Sequence, residues 1–389
     1  MMKIPKPVFT QSLLSEKKWA FICWFGLSAV ALVKVLVQHS NNYLIYKNTF
    51  FNLIQQQNLF APYPNLYADS NHYGPIFGVL IAPFALLPDA LGTSLWVILN
   101  ASILLYAVFQ LNISQQNKLI VCFICAHELM TASYSTQFNP AMAALILLSF
   151  TFTEKRNEPW AAFCIVLGTF IKLYGIVGLA FFFFVKNKPK FILWLAIWAL
   201  VMFALPMLFS SPQFVLNTYS NWYFSLIEKD SLNATSTMQD ISVMGMIRRI
   251  FKIPQLANIS VLLPALLLFA SAYLNIKSYK ALHFRLLILA STLLFTVIFS
   301  SGSESPTYII AFIGLALWFV LQAKPVANFN WILLLLAIII SSLSPSDLFP
   351  KYIQINYIKP YALKALPCFL IWLKIIYETW VYKPHKISV

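Results

Sequence analysis

Charge is what this sequence has least of. Only 10% of its 389 residues are Asp, Glu, Lys or Arg, against roughly 25% in a soluble domain. Such a chain has too few charged groups to cover a water-facing surface, so lipid is the expected solvent. Acids are scarcer still, 12 against 27 basic residues. There are only ten glycines, and neither a Walker loop nor a dinucleotide-type glycine pattern occurs. That excludes the common soluble nucleotide sites. The five cysteines, Cys23, Cys122, Cys125, Cys164 and Cys368, all fall inside apolar runs. Cys122 and Cys125 have CxxC spacing, but no second pair or histidine cluster completes a zinc or redox site. They read as small packing residues on a helix. No segment repeats at a fixed period.

What the chain has is apolar length. It is 60% hydrophobic, with a mean hydropathy of +0.74. The first run is Trp19 to Gln38, and Lys17 and Lys18 before it suit a signal anchor rather than a cleaved leader. Apolar runs follow at Pro75 to Pro88, Leu91 to Leu111, Leu119 to Tyr134, Ala141 to Phe152, Trp160 to Val185 and Phe191 to Phe209. The last are Ile259 to Ile276, Leu286 to Ser300, Tyr308 to Gln322, Trp331 to Leu343 and Tyr361 to Tyr382. The pattern predicts an all-α, polytopic transmembrane bundle of about twelve spans, forming one integral membrane domain over 1–389. The run Trp160 to Val185 reads either as one crossing or as two half-depth helices meeting at Lys172.

The net charge of +15 would suggest nucleic acid in a soluble protein. Here the basic residues sit in short runs between spans, as the positive-inside rule requires. Lys3, Lys6, Lys17 and Lys18 put the N-terminus in the cytoplasm. Lys186, Lys188 and Lys190, then Lys277, Lys280 and Arg285, then Lys324, mark further inside loops. Lys383 and Lys386 do the same for the C-terminus. Two larger loops, 39–74 and 210–257, then fall outside. In the first, Tyr43 to Gln57 alternates apolar and polar residues at helical spacing and predicts an interfacial helix. The sequons Asn112-Ile-Ser114 and Asn233-Ala-Thr235 are common by chance.

Ionisable residues within apolar runs are expensive and mark candidate function. Lys172, in Thr169-Phe-Ile-Lys-Leu-Tyr-Gly175, is either a snorkelling lysine or a cation facing a lipid phosphate. Glu128 beside His127 reads as an internal hydrogen-bonded pair. Glu304 sits at an outside membrane edge, where it could bind sugar hydroxyls or a cation. Asp69 is the single carboxylate in 39–74. It could initiate a turn, deprotonate a hydroxyl, or hold a divalent cation (Mg or Mn) against a phosphate. Arg248 and Arg249 could bind a lipid phosphate or anchor the chain at the interface.

Four stretches carry a resemblance. They are Asn42-Tyr-Leu-Ile-Tyr46 with Gln57-Asn-Leu-Phe60, Tyr73-Gly-Pro-Ile-Phe77 running into Ala82-Pro-Phe-Ala-Leu-Leu-Pro88, Gln137-Phe-Asn139, and Ile171-Lys-Leu-Tyr174 with the Lys186 to Lys190 segment. Together they resemble glycosyltransferase family 87, membrane transferases of the GT-C fold that use polyprenyl-phosphate sugars. The resemblance implies a hexose, mannose-like, passed from a polyprenyl-phosphate donor to a glycan, lipid or glycolipid acceptor outside the plasma membrane. It implies that Lys172, with Arg248 and Arg249, faces the donor phosphate. Asn41, Asn42, His72, Tyr73, Gln137, Asn139, Glu304 and Tyr308 would line the substrate pocket. The family's usual acid falls at Asn42, an amide that accepts no proton at neutral pH; Asp69 is the expected replacement base. Two other readings are a catalytically inactive carrier-binding relative and a transporter. The second predicts paired broken helices around a charge network at mid-membrane.

Overall fold

The computed structural model describes residues 17–236 and 238–383. Lys3, Lys6 and Lys386, used above for orientation, lie outside them. The described chain is helical throughout, with no strand. Among the described residues three helices are long and apolar enough to cross a bilayer: Lys17–Gln38, Asp89–Gln110 and Lys188–Leu208. Seven further apolar helices run 10–17 residues. The chain is a membrane protein, but twelve full-length crossings are not what the helix lengths display.

Burial separates inner from outer helices. Every residue of Tyr308–Val320 is buried, as is nearly every residue of Leu282–Ile298 and Asn139–Glu154. Helices apolar all round belong at the centre of a bundle. By contrast, Lys188–Ala204 buries only Phe191 and Met202. Ile192, Leu193, Leu200 and Val201 face outward, which water would penalise and lipid tolerates. Packing between inner helices is held by close contact rather than by expulsion of water.

The helix predicted near Tyr43 is present as Asn41–Ile54, started by Ser40, whose Oγ accepts from Tyr43 N at 3.1 Å. It does not lie free in the interface. Tyr43, Ile45, Tyr46, Thr49, Phe50, Asn52 and Leu53 are buried, and it packs against Ile76–Ala85. The reason is aromatic: Tyr46 meets Tyr73, Phe77 and Trp96 edge-on at 5.0–6.0 Å between ring centres, a favoured geometry.

The run Trp160 to Val185 is broken at Lys172, which is extended (φ −148°, ψ 124°) between the helix Glu158–Ile171 and the 3-10 helix Leu173–Phe184. Gly175 permits the fold-back. A Cβ there would meet the Gly168 carbonyl carbon at 2.3 Å, so only glycine fits without a shift. Glu128 is buried as expected, but its partner is not His127. Both Glu128 carboxylate oxygens stand 3.3 Å from Lys364 Nζ, while His127 Nδ1 meets Ser342 Oγ at 2.9 Å. Residues one apart on a helix do not face each other.

Candidate functional site

A cavity of about 350 Å³ opens at one end of the bundle. Asn42, Asp69, His72, Tyr73, Gln137, Lys172 and Glu304 all line it. Residues picked from well-separated stretches of sequence therefore share one space. Asn139 lies just behind the wall, fully buried, and accepts from Lys172 Nζ through Oδ1 at 3.2 Å.

The wall is built as a relay of hydrogen bonds. Asn139 Nδ2 donates to Gln137 Oε1. Gln137 Nε2 donates to Glu304 Oε2 at 2.8 Å, and Gln239 Nε2 to Glu304 Oε1 at 3.3 Å. Glu304 and Thr307 also form a capping box at the start of the 3-10 turn Ser305–Thr307. Lys172, having no anion beside it among the described residues, sits over the faces of Tyr174 and Tyr73, 4.6 and 5.9 Å from their centres. Tyr174 in turn meets Ser300 at 2.8 Å.

The loop carrying Asp69 is held in place from both sides. Asn41 clamps it, exchanging two 2.7 Å hydrogen bonds with the backbone of Ala68. Asp69 itself is left-handed (φ 70°), a conformation that Asp and Asn tolerate better than most residues. Further on, Gly74 N donates to Ile171 O at 2.9 Å. A Cβ on Gly74 would stand 2.0 Å from the Phe170 carbonyl oxygen, so the loop reaches Lys172 only because no side chain intervenes.

Asp69 Oδ2 lies 3.3 Å from Lys229 Nζ, and its Oδ1 lies 3.8 Å from His72 Nε2. The His72 ring and the Lys229 ammonium hold the Asp69 carboxyl well below the usual carboxylate range, against partial burial. The ring contact is the looser of the two, being beyond hydrogen-bond length. His72 Nδ1 meets Ser225 Oγ at 2.9 Å, and its buried Nε2 has no hydrogen-bond partner.

Sequence reasoning did not single out the far wall. The helix Pro212–Thr235 crosses the cavity, presenting Leu226, Lys229, Asp230 and Asn233 to it. Their spacing of three, four and seven is one helical face, the signal that sequence offered. Asp230 accepts from the hydroxyl of Ser301. Asn233, the acceptor of the second sequon, is 2% exposed and its Oδ1 is unpartnered. A residue so enclosed is shut off from glycosylation.

Besides Asn139, four expected residues do not line the cavity. Arg248 is buried in a 2.5 Å ion pair with Asp240. Arg249 spends its guanidinium on the carbonyls of Ser236, Gln239 and Lys359. Tyr308 donates to Ile241 O at 2.8 Å, and Asn41 holds the Asp69 turn. Among the described residues no group of three or more His, Cys, Asp or Glu side chains converges to hold a metal ion.

An all-helical membrane protein with a charged cavity at one end of its bundle defines an enzyme or carrier working at the membrane surface. A model of glycosyltransferase family 87 matches residues 71–301, more than half of the chain, and the chain belongs to that family. It is a membrane glycosyltransferase. The matched stretch carries His72, Tyr73, Gln137, Lys172, Lys229 and Asp230, and stops short of Asp69 and Glu304 at either end. No curated protein matches the chain.

Proposed function

We propose that the chain moves a hexose from a polyprenyl-phosphate donor to a glycan, lipid or glycolipid acceptor on the extracytoplasmic side. The observation that carries this reading is the meeting of Lys172, Asp69 and Glu304 in one cavity. A lipid-linked donor would reach that cavity sideways from the bilayer, needing no soluble nucleotide site.

In this reading the acceptor hydroxyl oxygen attacks the anomeric carbon. The bond from that carbon to the phosphate oxygen breaks, and the phosphate leaves with the electron pair. Asp69 takes the hydroxyl proton. Lys172 faces the phosphate and stabilises its growing charge, as preorganised cations do. As Asp69 becomes neutral, Lys229 is freed from its 3.3 Å pairing to turn toward the same phosphate. Glu304, on the cavity wall, holds sugar hydroxyls. The lowered pKa of Asp69 keeps it ionised but weakens its pull on the proton. Its share of catalysis then falls near the low end of the usual range, about 10²-fold.

The test uses purified full-length protein with polyprenyl-phosphate mannose labelled in the sugar, and acceptors from a membrane extract. Release of free polyprenyl phosphate is expected, and it should be slowed in both Lys172→Met and Asp69→Asn. Turnover with nucleotide sugars but with no polyprenyl-phosphate hexose would overturn the donor assignment. Tight binding of the donor without any turnover would favour an inactive carrier-binding role, the reading that Asn42 suggests.

A further inference from the structure

A second hollow, of about 420 Å³, lies between Glu154, Arg156, Phe183, Phe184, Lys186, Tyr279, Lys280 and Arg285. Three elements connect it to the cavity described above. Asn139–Glu154 begins behind the cavity wall and ends in the hollow, 16 residues or roughly 24 Å at ~1.5 Å each. The 12-residue 3-10 helix Leu173–Phe184 makes the same journey, roughly 24 Å at ~2.0 Å each. From Arg285 in the hollow, Leu282–Ile298 leads back to Ser300 in the cavity. The two spaces therefore sit at opposite ends of the bundle, nearly one hydrocarbon core of about 30 Å apart.

The charges of the hollow fall into two sets. Arg285 and Glu154 form a two-pronged pair at 2.7 and 2.6 Å, and Arg285 also donates to Tyr279 O at 2.8 Å. That pair is neutral and ties the end of Asn139–Glu154 to the start of Leu282–Ile298. The side chains of Arg156, Lys186 and Lys280 are exposed and have no hydrogen-bond or ion-pair partner among the described residues. They come from three different loops and ring a concave surface. Its aromatic wall is Phe183, Phe184 and Tyr279, with Phe183 exposed. Three cations around a hollow match a phosphate. Aromatic rings at the same depth match the junction of headgroup and acyl chain.

The geometry points to a binding site here for the phosphate of an anionic phospholipid headgroup, on the membrane face opposite the transfer cavity. The site is separate from the donor site and does not depend on which sugar is moved. Basic pockets between membrane helices commonly take such headgroups. A merely diffuse attraction of lysines to an anionic surface would need neither the hollow nor its aromatic wall.

Native mass spectrometry of the full chain in a mild detergent tests this, with phosphatidylglycerol or phosphatidylcholine of the same acyl chains added. Phosphatidylglycerol is expected to be retained at least tenfold more tightly. Arg156→Gln with Lys186→Gln and Lys280→Gln should remove that preference and leave phosphatidylcholine retention alone. If the triple variant does not fold, Arg156→Gln alone should lower the preference severalfold. Lys188→Gln with Lys277→Gln, which removes basic residues outside the hollow, should leave it unchanged. An equal fall in that control would overturn the site in favour of diffuse attraction. Displacement of the lipid by millimolar inorganic phosphate would overturn the lipid as ligand and make the site one for free phosphate.

Discussion

Removing Lys364 while leaving Glu128 in place should be among the most damaging single changes outside the cavity. Both side chains are almost wholly buried, 3% and 0% exposed. Their charges stand 3.3 Å apart, an attraction of roughly 5 kcal/mol at an effective dielectric of about 20. Desolvating each ion costs several kcal/mol, so the intact pair is close to neutral for stability. Lys364→Met removes the attraction and keeps the cost for Glu128, a loss of about 3–5 kcal/mol. Lys364→Met with Glu128→Gln should regain most of it. The assay is unfolding of purified protein by SDS titration in a mild detergent, read as a four-member mutant cycle. Transfer activity should fall with the single change, because Lys364 Nζ also donates to Ser305 O at 3.2 Å, next to Glu304. If Lys364→Met costs under about 1 kcal/mol, or the double variant is no better than the single, the pair is not what holds this turn.

Other outcomes follow from the cavity. Lys172→Met should lower kcat/KM about tenfold to a hundredfold, the range for deleting one charged hydrogen-bonding group, and lower the melting temperature modestly, because buried Asn139 Oδ1 loses its donor. Asp69 lies below the ordinary carboxylate range when folded, so its contribution to stability is complete above the unfolded value of about 3.9 and is lost as pH falls below it. It should not titrate between about pH 5 and 8; a wild-type rate limb in that window that vanishes in Asp69→Asn would contradict this. Gly74→Ala must push the loop off Phe170 and should cost about 1–3 kcal/mol and most of the activity, seen by melting temperature and transfer rate together. Asn42 Nδ2 donates to Ser135 O at 2.7 Å, so Asn42→Asp sets a carboxylate against a carbonyl. Stability should drop by about 1–3 kcal/mol without a faster rate, and a tenfold gain in turnover would show Asn42 to be a displaced base.

Lys172 was legible in the sequence because a charge in an apolar run has few meanings, and Asp69 because no other acid stands near it in the chain. The Tyr73-Gly-Pro-Ile-Phe77 segment was legible as a motif, though not the reason for its glycine, which is a backbone contact with a residue 96 positions away. Arg248 and Arg249 show the opposite case. Two adjacent arginines suggest a phosphate, but one is matched by Asp240 and the other by three carbonyls. Nothing local to Arg248-Arg249 in sequence reveals such satisfaction. Lys364 sits early in the last apolar run and could be read as a snorkelling lysine; its partner is 236 residues away.

Apart from the helix faces of Asn41–Ile54 and Pro212–Thr235, the cavity is assembled from turns. The Asp69 loop, the start of Asn139–Glu154, the break at Lys172 and the Glu304 turn meet there, each at the end of an element. Within lipid, backbone that leaves a helix needs partners from the protein itself. That requirement concentrates amides and carboxylates where the helices stop: Gln137 on Glu304, Asn139 on Lys172, Gly74 on Ile171. Of these, the Gly74 contact satisfies the broken backbone directly, and the two side-chain contacts tie the element ends to one another. It follows that changes which straighten a break should harm activity more than changes to the lining side chains. Gly175→Ala is the sharpest case, since its Cβ would collide with Gly168 and Thr169 although Gly175 itself does not line the cavity. It should lose activity at least as fully as Lys172→Met while donor binding also weakens. If Gly175→Ala were to keep wild-type kcat and KM, the break at Lys172 would be incidental to the site.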